Sequence, residues 1–275
     1  MTVQEALEWA KKALESVSGE DASADARELV SFALQRRVRG ADGFALLTIE
    51  QEKTLDAAIR KRLEREPLQY VIGEWDFMGL TFAVSPDVLI PRQDTETLAE
   101  EAERLIAERG YKTLLDICTG SGCIGVSLQR RTGIRATLSD ISEKALAVAR
   151  DNAERLGADC ETVKSDLFEA FGGRKFDLIT ANPPYIPSEI VKTLSDEVKK
   201  EPLLALDGGE DGLDLYRRIG QSFAEHLNEG GALLMEIGFD QGESVHALFA
   251  AAEGRTVRLL KDLANNNRVV SVTLE

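Results

Sequence analysis

Apolar residues in the first quarter of the chain recur at helical spacing: Ala6, Trp9, Ala10, Ala13 and Leu14 form one stripe, and Ala26, Leu29, Val30 and Ala33 another. Hardly any strand pattern intervenes before Leu68. This stretch therefore predicts a small helical bundle whose last long helix spans about residues 49–65 and stops before Pro67. The period then changes. Residues 75–84 alternate as a β-hairpin turning at Met78-Gly79, a connector between the bundle and the remainder of the chain. From Glu96 onward short apolar runs alternate with helical patterns, and strands are predicted near residues 114–117, 136–140, 161–163, 176–181, 232–236, 256–260 and 268–273. Ser142 caps a helix over residues 143–156 that turns Ala145, Leu146, Ala149 and Ala153 toward a sheet. Another helix is expected over residues 215–227. This rhythm predicts an α/β fold with a mostly parallel sheet, helices on both faces and the last two strands paired as a hairpin. The expected domains are a helical domain over 1–72, a hairpin linker over 73–90 and a sheet domain over 91–275. Residues 187–213 break the rhythm and end in the glycine-rich 207–212, which reads as a flexible loop, either a cover over a substrate or a surface insertion.

Candidate chemistry sits where the predicted strands end, the side on which open α/β sheets bind ligands. The run 114–117 leads into Cys118-Thr119-Gly120-Ser121-Gly122, with Gly125 just beyond. Gly120 and Gly122 permit positive φ and close approach of a ligand to the backbone, while the absence of a lysine argues against a phosphate loop. The glycine spacing alone fits either a nicotinamide dinucleotide or an adenosyl cofactor. Asp140, eighteen residues past Gly122 at the next strand end, suits a ribose diol without saying which nucleoside. Asp166 ends a third such segment, and a fourth runs into Asn182-Pro183-Pro184-Tyr185. Two prolines remove two N–H donors. The Asn182 side-chain oxygen and the Pro183 carbonyl are left as acceptors for a planar NH2, with Tyr185 against its face. Taken alone, the four residues also read as a plain Pro-Pro turn. Glu236 closes a further predicted strand, from which it could face the same cleft.

Together the glycine loop, Asp140, Asp166 and the Asn-Pro-Pro-Tyr cradle resemble the class I (Rossmann-like) S-adenosylmethionine (SAM)-dependent methyltransferases that act on planar nitrogen. Pro67-Leu68-Gln69-Tyr70-Val71-Ile72-Gly73, Val88-Leu89-Ile90-Pro91-Arg92 with Glu96, and Leu206-Asp207-Gly208-Gly209 extend the likeness over nearly the whole chain. Those segments are similar to the PrmC/HemK family, the protein-(glutamine-N5) methyltransferases of peptide chain release factors. The resemblance implies methyl transfer from SAM to the side-chain amide nitrogen of the glutamine in the Gly-Gly-Gln (GGQ) loop of class-1 release factors, leaving S-adenosylhomocysteine. It implies Asn182, Pro183 and Tyr185 as catalytic residues, and the same three with Pro184 as the substrate site. Around the cofactor it implies Asp116, Cys118, Thr119, Gly120, Ser121, Gly122, Asp140, Asp166, Leu167 and Asn182. Asp116 would support the turn or the cofactor ammonium, and Asp166 or Leu167 would border the adenine. The helical domain would then dock the protein substrate. Three departures stand out: Gln93-Asp94 where relatives usually have Pro-Glu, Asn265-Asn266-Asn267 where they commonly carry glycine and aspartate, and Cys118 at the usual first glycine. None removes a group the chemistry needs. Rival readings are a ribosomal-protein glutamine or a nucleic-acid amino group as substrate, and a SAM-binding module without catalysis.

Charge bears on that choice. A net charge of −15 over 275 residues sets an unfavourable field for duplex DNA, whose binding needs basic patches that displace counterions. Direct nucleic-acid binding is accordingly not expected. No apolar run approaches a membrane span, and the amino terminus is acidic and amphipathic, without a basic stretch ahead of an apolar block, so a cytoplasmic protein is expected. Cys118, Cys123 and Cys160 lack the paired spacing of a metal site and read as buried free thiols. The two histidines, His226 and His246, are too far apart to suggest a metal or a catalytic triad and read as surface or packing residues.

Overall fold

Thr2 starts the first helix with a reciprocal cap: its hydroxyl accepts the Glu5 N–H, and the Glu5 carboxylate accepts the Thr2 N–H. Thr48 and Gln51 repeat the device at the third. The structure is a computed structural model that describes residues 1–251 and 253–274. It divides into two compact units: Met1–Glu74 with Ser195–Lys200, and Trp75–Leu194 with the chain from Glu201 onward.

The first unit contains α1 (Val3–Ser18), α2 (Ala22–Leu34), α3 (Ile49–Leu63) and the short α4 (Leu68–Ile72). Val3, Ala6, Ala10 and Leu14 of α1 are fully buried. They lie three and four residues apart and so share one helix face. Trp9, placed in that stripe by its spacing, sits at the stripe's edge and is 38% exposed. Arg62 is buried within the unit and bonds the Asp25 carboxylate at 2.9 Å and Glu197 at 3.1 Å. Several acceptors around one buried guanidinium are what such a charge requires.

From Glu74, the last residue of the first unit's main segment, the hairpin β1 (Glu74–Phe77) and β2 (Leu80–Ala83) leads into the second unit and turns where the alternation places it, with Met78 and Gly79 at φ 51° and 76°. Next come α5 (Glu96–Arg109), β3 (Thr113–Ile117), α6 (Cys123–Thr132), β4 (Arg135–Asp140), α7 (Glu143–Leu156), β5 (Cys160–Lys164) and β6 (Phe176–Ala181). They are followed by α8 (Ser188–Val191), α9 (Asp214–Ser222), β7 (Leu227–Glu236), α10 (Gly242–Ala250), β8 (Arg255–Lys261) and β9 (Asn267–Leu274). The hairpin is held on α7 by Asn152, whose side chain accepts the Ala83 N–H at 2.7 Å and donates to the Ala83 carbonyl at 3.0 Å.

The seven-stranded sheet runs in the order β5-β4-β3-β6-β7-β9-β8, with β9 antiparallel to both neighbours and the other pairs parallel. This is the mostly parallel sheet, with its last two strands paired as a hairpin, that the alternating pattern predicts. One core packs on each face, with Leu114, Leu138, Leu178 and Leu234 on one side and Leu115, Ile117, Ile179 and Leu233 on the other. The helix expected over 215–227 ends sooner. After α9, residues Phe223–His226 form a 3-10 turn, because β7 begins at Leu227 and pairs that residue with Phe176. His226 is buried there, stacked on Phe168 with ring centroids 4.8 Å apart. Of the three free thiols only Cys123 is buried, while Cys118 and Cys160 are partly exposed at the cavity side and in β5. Among the described residues no helix is long and apolar enough to cross a membrane.

Candidate active site

Strand addition reverses at β3, with β4 and β5 on one side and β6 and β7 on the other, so a crevice opens above the carboxyl ends of β3 and β6. The cavity there lies within the second unit. Its lining includes Cys118, Thr119, Gly120 and Ser121 from the glycine loop, Asp140, Asp166 and Leu167 from the next two strand ends, and Asn182 and Pro184 from the cradle.

The loop is tied to the strand beside it. Thr119 N–H donates to the Ser139 carbonyl at 3.0 Å, and Gly120 N–H donates to Asp140 Oδ2 at 3.0 Å. The other Asp140 oxygen accepts the Ser142 N–H at 2.9 Å. Only neutral donors engage this carboxylate in these bonds, and burial raises its pKa. Asp116 is fully buried and is absent from the cavity lining. Its Oδ2 accepts the Thr119 hydroxyl at 2.6 Å and the Gly125 N–H at 3.2 Å, and its Oδ1 accepts the Thr180 hydroxyl at 2.7 Å. Burial outweighs these bonds and pushes Asp116 up to about 6. This is the geometry of a brace beneath the turn, linking β3, β6 and α6. Gly125 is required by close packing, since a Cβ there would lie 2.3 Å from Leu138 Cδ2. Gly120 at φ 55° faces open space, and Cys118 holds φ 54°, a left-handed conformation that glycine adopts without strain.

At the end of β6 the parallel register pairs Ala181 with Ile117 on one side and Met235 on the other, which places Asn182 beside the loop and beside Glu236. The Asn182 amide Nδ2 donates to Thr95 Oγ1 at 3.4 Å. No hydrogen bond among the described residues engages the Pro183 carbonyl. Tyr185 turns away from the lining: its hydroxyl is 3.5 Å from Glu236 Oε1, and burial raises its pKa.

The glycine-rich stretch 207–212, expected to be flexible, is bonded through its start to the segment just after the cradle instead. Ile186 N–H donates to Leu206, Gly208 N–H to Ile186 and Ser188 N–H to Gly209, at 3.0, 2.9 and 2.9 Å. A Cβ on Gly208 would lie 2.8 Å from the Pro184 carbonyl oxygen, and one on Gly212 would lie 2.3 Å from that of Tyr185. Glycine is needed so that one backbone can lie against the other.

Four further residues shape the site. Thr95, from the turn Gln93–Thr95 before α5, lines the cavity and is 2% exposed. Glu236, buried at the end of β7, is pushed up to about 7 by desolvation, opposed first by the Thr95 hydroxyl. Arg218 of α9 pairs with Asp166 at 2.8 Å on the cavity lining. Glu201 is buried, accepts the Ile90 N–H at 3.0 Å and pairs with Arg92, so it holds the Ile90-Pro91-Arg92 segment in place. Glu236 had a sequence signal in its strand-end position. Glu201 and Arg218 had none, because their partners lie 111 and 52 positions away.

Comparison with known proteins agrees with this arrangement. Residues 95–199 match the family Methyltransferase small domain, and residues 5–73 match the family PrmC N-terminal domain. A release factor glutamine methyltransferase of Geobacter sulfurreducens is 40% identical over 258 residues, covering 90% of this chain and 88% of its own. A protein of the same name from Caulobacter vibrioides is 37% identical, covering 98% of this chain and 96% of its own. In fold, the crystal structure of a methyltransferase from Pyrococcus furiosus aligns with 80% of this chain and 96% of its own, with a TM-score of 0.54 at 18% identity.

Proposed function

The chain belongs to the release factor glutamine methyltransferases, and on that premise we propose that it transfers the methyl group of SAM to the N5 amide nitrogen of the glutamine in the GGQ loop of class-1 release factors. The observation that carries the reading is the convergence of the glycine loop and the Asn182 cradle on one cavity at the strand-order reversal.

The residues present suit SAM, a cation at its sulfonium and ammonium. Arg92 and Arg218 on the lining are each paired with a carboxylate, whereas Asp140 accepts from the Gly120 and Ser142 N–H groups and Asp207 from the Ser188 hydroxyl and the Gly209 N–H. The Ser121 hydroxyl is buried without a partner, and space above Gly120 is open. In this reading Asp140 holds the ribose, residues 118–122 lie against the methionine and adenosyl parts, and Asp166 and Leu167 border the adenine. When bound, SAM supplies an electrophilic methyl group.

The chain must make an amide nitrogen act as the nucleophile, although its lone pair is delocalised into the carbonyl. Asn182 Oδ1 and the Pro183 carbonyl, both acceptors, hold the two N–H bonds and favour a tetrahedral nitrogen as positive charge develops on it. Positioning of this kind is worth up to about 7–11 kcal/mol in favourable intramolecular systems. After transfer the nitrogen is acidic and its proton leaves readily, so no strong base is required.

The test is transfer of labelled methyl from SAM to purified release factor, to a ribosomal protein and to DNA in parallel, with mass spectrometry locating the product. Label on the GGQ glutamine, lost in Asn182→Ala, is the expected result. Label confined to the ribosomal protein or the DNA overturns the substrate and keeps the methyltransferase.

A further inference from the structure

The amino-acid end of SAM carries a carboxylate beside its ammonium, and residues 118–122, Asp140, Asp166 and Leu167 include no cation to receive it. Among the described residues the cavity lining holds two cations, Arg92 and Arg218. They stand at different ends of the ligand. Arg218 pairs with Asp166 at 2.8 Å, on the side given to the adenine. Arg92 lies three residues before Thr95, whose hydroxyl accepts from Asn182 Nδ2 at 3.4 Å, on the side given to the methyl group. The sulfonium has three arms. The adenosyl arm runs toward Asp140 and Asp166 and the methyl toward Asn182, so the amino-acid arm leaves the sulfur at the Asn182 end, where Arg92 is the cation at hand.

The surroundings of Arg92 prepare it for an anion. Its Nη2 donates to Glu201 Oε1, and the other oxygen of Glu201, whose side chain is 2% exposed, accepts the Ile90 N–H at 3.0 Å. Glu201 thus ties the guanidinium to the backbone of its own segment. Nε and Nη1 make no hydrogen bond among the described residues, and the Arg92 side chain is 39% exposed. A guanidinium presents several N–H donors in a planar fork that matches a carboxylate, so the bond to Glu201 leaves donors for a second one. The pair also keeps Arg92 from setting an unbalanced positive charge beside the sulfonium.

We infer that Arg92 binds the carboxylate of the SAM amino-acid end, with Glu201 as the residue that positions its guanidinium. The inference rests on the cofactor part of the proposed function and is independent of which nitrogen is methylated.

Titration calorimetry with two ligands tests it: S-adenosylhomocysteine, and its decarboxylated analogue S-adenosyl-3-thiopropylamine, which keeps the adenosyl, sulfur and ammonium groups. The wild type should bind the analogue about tenfold or more weakly than S-adenosylhomocysteine. In Arg92→Gln the Kd for S-adenosylhomocysteine should rise by about tenfold or more while that for the analogue does not rise, so that the preference for the carboxylate is lost. Glu201→Gln keeps an acceptor for the Ile90 N–H and should show the same selective loss in smaller degree. The double variant should lose no more than Arg92→Gln. Retained affinity for the analogue also shows that each variant is folded at the site. Equal weakening of both ligands would overturn the inference, because Arg92 would then only shape the cavity wall. Unchanged affinity for S-adenosylhomocysteine in Arg92→Gln would overturn it as well, and a raised KM for release factor in that variant would move Arg92 to the protein substrate. A wild type that binds neither ligand would refute the cofactor and the inference together. Binding of S-adenosylhomocysteine without methyl transfer to release factor would refute only the proposed substrate, and the calorimetry would still decide on Arg92.

Discussion

Asp140 and Cys118 show how much one position can reveal. Asp140 was legible because an acid at the strand end after a glycine loop has few other uses, and the structure places it in the cavity with both oxygens already fixed by backbone N–H groups. Asp140→Ala should therefore weaken SAM binding by about tenfold or more, read by titration calorimetry, since a charged hydrogen-bond acceptor is worth about 1.5–3 kcal/mol. Wild-type affinity would remove it from the cofactor site. Cys118 is a departure that costs something. Its φ of 54° is uncomfortable for any side chain, by about 1–2 kcal/mol, part of which glycine gives back as lost chain entropy. Cys118→Gly is expected to raise the urea midpoint, with a gain of up to about 1 kcal/mol at unchanged m-value. Thr95 was not legible, because a threonine in a turn before a helix looks like a cap, and its partner Asn182 comes from a strand end far along the chain.

At the scale of elements, strands with clean apolar runs were placed within a residue or two, apart from the start of β7 at Leu227 against a predicted 232, and the failures among helices and loops have a common cause. The helix predicted over 215–227 and the flexible loop predicted over 207–212 were both reshaped by partners elsewhere in the chain: Phe176, which draws Leu227 into the sheet, and the backbone of residues 184–186. Local composition favours mobility for Asp207-Gly208-Gly209, yet Gly208 and Gly212 lie against the backbone of Pro184 and Tyr185, where a side chain would not fit. Gly212→Ala tests this. A Cβ at φ 76° would lie 2.3 Å from the Tyr185 carbonyl oxygen and 2.7 Å from Gln241 Nε2. The substitution should destabilise the protein by about 1–3 kcal/mol in urea titration and lower turnover by moving Tyr185, through the strain and crowding combined. A neutral Gly212→Ala would show that the loop does not support the motif.

For the molecule as a whole, the buried carboxylates make stability depend on pH. Glu236 rises from 4.5 to about 7 on folding, so between those values the folded state binds more protons than the unfolded one and stability falls as pH rises. Glu236→Gln removes that term, and the stability of the wild type relative to this variant should decline from pH 4.5 to pH 7 and then level off, as read by thermal or denaturant unfolding without cofactor. A flat difference would mean that Glu236 is not held in its neutral form. The net charge of −15 acts at the same scale, as a long-range field that disfavours nucleic acid and says nothing about where catalysis occurs. What the sequence determined by itself was whatever is written in local order. It set the period of each apolar run, and hence the helical first quarter and the alternating sheet. It also set the residues that come after each strand, Cys118 to Gly122, Asp140, Asp166 and Asn182 to Tyr185, because a strand delivers the residue after it to a known edge. Only the tertiary structure decided which strands are neighbours, and so which of these edges share a cavity. It alone brought Glu201 to Ile90, Arg218 to Asp166, and Thr95 to Asn182. Those contacts join positions tens of residues apart through side-chain geometry, and no local pattern of apolar and polar residues encodes a distance across a fold.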